Sequence, residues 1–231
     1  MVRDANKVKR VAFDKENIAN NENFDNNIFS DEFSVQLHDN KIVIYRVRDS
    51  VAQVLPKSNH PLKVNVVAGI SRRGTTSILV FENIMTSAFY INSILVSGLI
   101  PFINRVYPDT HRFQKDNDPK HTSSATKDLM KQHSINWWDN WPAESPDFNP
   151  IEMVWSMMKS RLSKKEPRTK EDLINGIKLF WREDMTITVC NNFIDHIFKV
   201  MPIAVVIGRR ATGDLPKKIF PERSSGFHAV F

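Results

Sequence analysis

Residues 28–37, IFSDEFSVQL, alternate: Phe29, Asp31, Phe33, Val35 and Leu37 share one side, and Ile28, Ser30, Glu32, Ser34 and Gln36 the other. A period of two predicts a strand. It also sets one carboxylate, Asp31, among apolar neighbours, where a charge is costly unless paired or bound to a metal. Glu32 points the other way and needs no special role at this level. After a turn at His38-Asp39-Asn40, KIVIYRV (41–47) reads as a second strand, and LKVNVVAGI (62–70) alternates again with Leu62, Val64, Val66, Ala68 and Ile70 on one face. SRRGTT (71–76) supplies turn residues before SILVF (77–81). Consecutive strands with short turns predict an antiparallel meander.

Helical spacing then takes over. Apolar residues over 87–97 and 99–106 predict two helices, broken at Gly98 and Pro101. A short strand is expected at RFQKD (112–116), a helix capped by Thr122 over 123–133, and a strand at INWW (135–138). Past Pro142, Pro146 and Pro150, residues Ile151, Val154, Trp155, Met158 and Leu162 recur at helical intervals. Thr169 with Asp172 three residues on predicts a capped helix striped by Leu173, Ile174, Ile177, Phe180 and Trp181. A last helix carries Val189, Phe193, Ile194, Ile197 and Phe198. Strands first and αβ alternation later predict an α/β fold, a mixed sheet flanked by helices. The expected organisation is a lead-in helix and linker over 1–27, one domain over 28–207, and a basic tail over 208–231.

Composition narrows the classes. The 231 residues are 41% hydrophobic and 10% aromatic, enough for a sizeable core and against global disorder. Lys and Arg outnumber Asp and Glu by 32 to 26, giving +6, a balance compatible with a polyanionic partner. A lone Cys190 excludes an internal disulfide framework and a cysteine-rich zinc site, and reads as a buried structural thiol. The charged start MVRDANKVKR has no secretory character, and no apolar run approaches the ~20 residues of a membrane span. A soluble intracellular protein with no membrane and no small-molecule substrate is expected.

The candidate chemistry lies in carboxylates. In QKDNDPKHTS (114–123), Asp118 precedes a proline and belongs to a turn, whereas Asp116 ends a strand, where open α/β sheets place their ligands. Glu152 falls three residues after Asn149 with Pro150 between, which also fits a capping box. His121 and Asn117 fit turn and cap hydrogen bonding. Together, Asp31, Asp116 and Glu152 sit at three places on one mixed sheet from which they could converge on two divalent cations. Oxygen ligands suit magnesium or manganese, and such a site supports in-line attack on a phosphodiester.

DNDPKHTS followed by SPDFNPIE-x-x-W resembles the catalytic domain of Tc/mariner-superfamily transposases. IFSDE, HPLKVNVVAGISRRGTT, FENIMTSAFY, LIPFINRVYPD and KEDLINGIKLFW extend the resemblance from about residue 3 to about residue 214. It implies a ribonuclease H-like fold and a triad of catalytic metal ligands at Asp31, Asp116 and Glu152. It further implies two magnesium ions, manganese being an alternative. The implied reaction is DNA phosphodiester hydrolysis followed by strand transfer of the freed 3′-hydroxyl, with no covalent protein–DNA intermediate. The implied partners are transposon ends and target DNA, with a homodimer compatible, and the implied compartment is the nucleus. The family's Asp-to-Glu spacing is exceeded by one residue, which WWDNWP (137–142) is expected to absorb. The paired helix-turn-helix domains of the family are missing ahead of residue 1, so a truncated copy is expected.

Phosphate contacts are expected from Arg72, Arg73, Lys120, His121 and Lys159, with Arg161, Lys164 and Lys165 as further candidates. Two other readings stand beside the transposase: a catalytically silent relic or domesticated nucleic-acid-binding module, and a ribonuclease acting on RNA–DNA hybrids.

Overall fold

In the computed structural model, residues 3–36 and 63–206 are described. The strand expected at 41–47 and the tail at 208–231 lie outside them, as do Leu37 and Leu62.

Both alternating stretches are strands. β1 (Asn27–Gln36) and β2 (Lys63–Ser71) pair antiparallel along their whole length, from Ile28 opposite Ser71 to Gln36 opposite Lys63. On the far side of β2 lie β3 (Gly74–Thr75) and β4 (Leu79–Phe81), both antiparallel to it. The turn into β3 uses Gly74 at a φ of 124°, a conformation open to glycine and rare for other residues. β5 (Arg112–Gln114) lies parallel to β1, with Phe29 opposite Gln114. The expected strand at 135–138 is a single bridge, Trp137 to Phe113, continuing the sheet in parallel.

Helices cover both faces. Phe29, Val35, Val64, Val66, Ala68 and Ile70 face a large core shared with α6 (Ile151–Lys165), α7 (Lys170–Glu183), α8 (Ile187–Asp195) and α9 (Ile197–Val206). This is the apolar face read from the alternation. Ile28 and Phe113 face a second cluster built by Tyr90, Leu95, Leu99, Phe102 and Met130. Cys190 is fully buried, as expected of a structural thiol, and burial pushes its thiol up to about 11.

Four expectations change. Gly98 and Pro101 do not break the helix. α2 (Ser87–Phe89), a π-helical stretch Tyr90–Leu99 and α3 (Ile100–Val106) run on as one rod, Ser87–Val106. The wider turn suits Pro101, which has no N–H for an ordinary helical bond. Second, α4 (Pro119–Thr122) precedes α5 (Ser124–Gln132), and Ser123 rather than Thr122 caps α5. Third, two stretches, Ser87–Val106 and Ile187–Val206, are long and apolar enough to cross a membrane, contrary to the reading by runs alone. Their apolar residues Leu95, Leu99, Cys190 and Ile194 lie in the two cores.

The fourth concerns α1 (Asp4–Ala19), expected as part of a lead-in, which is packed into the body. Phe13 joins the main core against Trp138, Trp141 and Phe148. Arg10, fully buried, makes a two-pronged pair with Asp147 at 2.7 and 2.8 Å and stacks on Phe148. Arg3 holds Glu144 through its main-chain N–H and its guanidinium.

Candidate active site

Parallel pairing of β1 and β5 sets the site. The last pair is Phe29 opposite Gln114, and β5 ends there rather than at residue 116, so Asp116 lies two residues past the strand, near enough for its charge to act on Asp31. α6 delivers the third carboxylate. Its Trp155 stacks on Phe33 of β1 at 5.7 Å between ring centres, with the rings 9° from parallel, and on Trp181 of α7 at 6.0 Å.

The capping box read at Asn149 does not form. α6 starts without a side-chain cap, and the Asn149 amide instead donates to the Ser30 carbonyl at 3.1 Å. The helix start is thereby tied to the strand that carries Asp31. The Glu152 side chain is left to meet Asp31 rather than the helix backbone. Burial, followed by the nearby carboxylates of Glu152 and Asp116, raises Asp31 well above the usual carboxylate range; the Glu32 main-chain N–H pulls the other way. Burial raises Glu152 likewise.

Asp116 is held differently. It hydrogen-bonds Nδ1 of His121 and accepts from the Asp118 main-chain N–H at 3.0 Å. Burial pushes its carboxyl up, but His121, by hydrogen bond and charge, outweighs this and keeps it below its ordinary range. His121 is buried, with Tyr90 at 4.2 Å between ring centres. Its Nε2 lies 2.7 Å from Oε1 of Glu32. Burial alone would lower this imidazole; the two carboxylates raise it instead. Lys120 Nζ closes the network at 2.8 Å from Asp118 and 3.1 Å from Glu32. Asp118 itself caps α4, the turn role read from its position before Pro119.

So the structure brings Asp31 and Glu152 together, with Asp116 in their electrostatic reach but turned to His121. Among the described residues, no three His, Cys, Asp or Glu side chains are already gathered as an ion-binding cluster. The donors are nonetheless carboxylate oxygens, and a half-buried pair of facing carboxylates suits a hard divalent cation.

Glu32 was missed. Its signal was positional: it follows Asp31, shares its strand face with Ser30, and is therefore directed at the segment after β5. Of the basic residues, Arg72 pairs with Asp25 and Asp195, while Arg73 bonds Asn26 and the Val106 carbonyl and stacks on Tyr107. Both guanidiniums act within the fold beside the start of β1. His121 is a bridge between carboxylates and Lys120 an ion-pair partner, so neither presents the open charge expected of a phosphate contact. Lys159 is exposed on α6, two turns beyond Glu152.

A mixed sheet between helical layers, with one carboxylate on a strand, one just past the end of the parallel strand beside it and one on the helix packed against them, defines the ribonuclease H-like class. Residues 26–174 match the model of a family described as DDE superfamily endonuclease, and the chain belongs to that family. It is 32% identical over 155 residues to the Tc3 transposase of Caenorhabditis elegans, covering 66% of this chain and 46% of that protein. To the Tc1 transposase of the same organism it is 33% identical over 85 residues, covering 37% and 30%. The chain spans less than half the length of these relatives. These matches agree with the resemblance to Tc/mariner transposases. In fold it is similar to the Mos1 mariner paired end complex with Mn, with a TM-score of 0.77 at 14% identity, covering 91% of this chain and 64% of that one. It is similar also to the Mos1 transposase catalytic domain with Raltegravir and Mg, with a TM-score of 0.71 at 13% identity, covering 91% and 98%.

Proposed function

We propose that this chain is the catalytic domain of a DDE transposase, cutting DNA phosphodiesters and joining the freed 3′-hydroxyl to target DNA. The observation that carries the reading is the half-buried meeting of Asp31 and Glu152, with the charge of Asp116, just past the end of β5, acting on Asp31. In this reading Asp31, Asp116 and Glu152 hold divalent cations, magnesium or manganese. When bound, such ions supply an activated water or hydroxyl and offset charge on the leaving oxygen. The chain's own part is positioning. Asn149 and Trp155 hold Glu152 against β1, and His121, steadied by Glu32, sets the orientation of Asp116.

The partners in this reading are transposon ends and target DNA, and two copies acting together fit the paired-end assemblies in which Mos1 is seen. With chromosomal DNA as substrate, the place of action is the nucleus. The test is nicking of supercoiled DNA with magnesium or manganese. Wild type should nick, and Asp31→Asn, Asp116→Asn and Glu152→Gln should each be inactive. Equal activity in all four removes the reading. Metal binding without nicking in wild type would favour a silent nucleic-acid-binding module.

A further inference from the structure

On the side of α6 away from its first turn, the chain builds a second charged feature. An open groove of about 680 Å³ lies between the last turn of α6, the connection 166–169 and α7. Four cations, Lys165, Arg168, Lys178 and Arg182, and two carboxylates, Glu166 and Asp172, line it over Leu162 and Gly176. Gly176 is what lets the two helices close beneath it, because a Cβ there would lie 2.8 Å from Cδ2 of Leu162.

Residues 159–182 contain eight Lys or Arg against Glu166, Glu171 and Asp172, a net +5 within a chain of net +6. Glu183 and Asp184 follow directly, Arg161 pairs with Asp184 and Lys170 with Glu82, so the excess falls mainly to the groove residues Lys165, Arg168, Lys178 and Arg182. Asp172 is engaged by the N-cap of α7, accepting from the main-chain N–H groups of Arg168 and Thr169. Among the described residues Arg182 pairs only with its neighbour Glu183 at 3.2 Å, both strongly exposed, an arrangement of little strength that a phosphate can displace. Lys165 and Lys178 have no ion-pair partner among the described residues. Lys165 at the end of α6 also suits the helix dipole, and Arg168 acts on the charge of Asp172, but that leaves Lys178 in the middle of α7 unexplained.

From Glu152 to Lys165 along α6 is roughly 20 Å, about six base pairs of duplex. Exposed Lys159 lies between them. We propose that this groove is a second nucleic-acid site, one that grips the phosphate backbone of duplex DNA beyond the segment held at the carboxylates. The proposal rests on the reading of the chain as a DNA-cutting domain, and its test is separable from that reading.

The 231-residue chain would be titrated with a labelled DNA duplex in EDTA over a series of salt concentrations. The variants are Arg168→Ala/Lys178→Ala/Arg182→Ala and the single charge reversal Lys178→Glu. The slope of log K against log salt should fall by about 0.9 for each contact removed. Nicking is followed separately after metal is restored, where Glu152→Gln should be inactive, so that binding and cutting are scored independently. An unchanged slope and affinity in both groove variants overturns the proposal, even if wild type nicks. A groove-dependent slope with no nicking by wild type keeps the groove and removes the catalytic reading. If poly-glutamate competes with the same charge dependence, the groove is a general polyanion surface and the assignment falls. Should the triple variant melt differently from wild type, the single variants Arg168→Ala and Lys178→Ala decide by the same slope.

Discussion

Asn149 donates its side-chain amide to the main-chain carbonyl of Ser30, 3.1 Å away, and so fastens the start of one helix to the strand that carries Asp31. Asn149→Ala leaves that carbonyl without this donor, which should cost about 1–3 kcal/mol of stability. Nicking should fall further than stability does, because Glu152 loses its tie to the strand. Urea unfolding and single-turnover nicking of Asn149→Ala and Asn149→Asp check this. Wild-type rates in both would show that the bond does not set Glu152.

His121 stands between Asp116 and Glu32, so its loss should act through Asp116. His121→Ala should raise the manganese concentration needed for half-maximal nicking while leaving affinity for the DNA nearly unchanged. Glu32→Gln, which retains an acceptor for the ring, should show the smaller shift. A metal titration of nicking beside a binding isotherm distinguishes this from general damage, which would lower both.

Asp31 and Glu152 meet as half-buried carboxyls joined by a hydrogen bond, which needs a proton on one of them, because two charges so placed would repel. In EDTA, Asp31→Asn should therefore melt at or above the wild-type temperature while being inactive. Added manganese should raise the melting temperature of wild type and not that of Asp31→Asn. A variant less stable than wild type in EDTA would mean that the shared proton holds the pair together more strongly than an Asn amide does.

Asp14 gives a pH signature away from the site. Both its carboxylate oxygens are buried without a hydrogen-bond partner, and burial pushes the group up to about 7 against the pull of Arg10, with Asp147 adding to the rise. The folded protein thus holds this proton more tightly than the unfolded chain, whose value is near 3.8. Stability contributed by the neutral form is complete below about pH 4 and is lost as pH rises toward 7. Asp14→Asn should be more stable than wild type above pH 7, with the gain vanishing below pH 4. Thermal melts across that range check it, and a gain independent of pH would contradict it.

Trp155 separates shape from polarity. It is almost fully buried, yet its indole N–H has no acceptor among the described residues. Trp155→Phe should cost less than about 1.5 kcal/mol, since no hydrogen bond is lost, whereas Trp155→Ala should cost about 3–5 kcal/mol. Urea midpoints of the two variants test the contrast.

Much of this was legible because it is periodic or local. Alternation set Asp31 on the same side as Phe29 and Phe33, and the Thr169–Asp172 box forms as read, with both reciprocal bonds present. What escaped depends on pairings far apart in the chain. Glu32 looks idle until β5 delivers His121, 89 positions later, to its side of the sheet. Asn149 has the spacing of a helix cap, and only the packing of Trp155 on Phe33 brings Ser30 close enough to claim its amide instead. The π-helical stretch was hidden for a related reason. Gly98 and Pro101 are breakers by local propensity, but Leu95, Leu99 and Phe102 bury the rod against the sheet and override them.

The clasp between α1 and the 144–147 segment has a mechanical reading. Arg3 grips Glu144 and Arg10 grips Asp147, both just upstream of the helix that begins with Glu152. A shift of α1 is therefore passed to the segment that leads into α6 through two charged contacts, besides its direct continuation into β1.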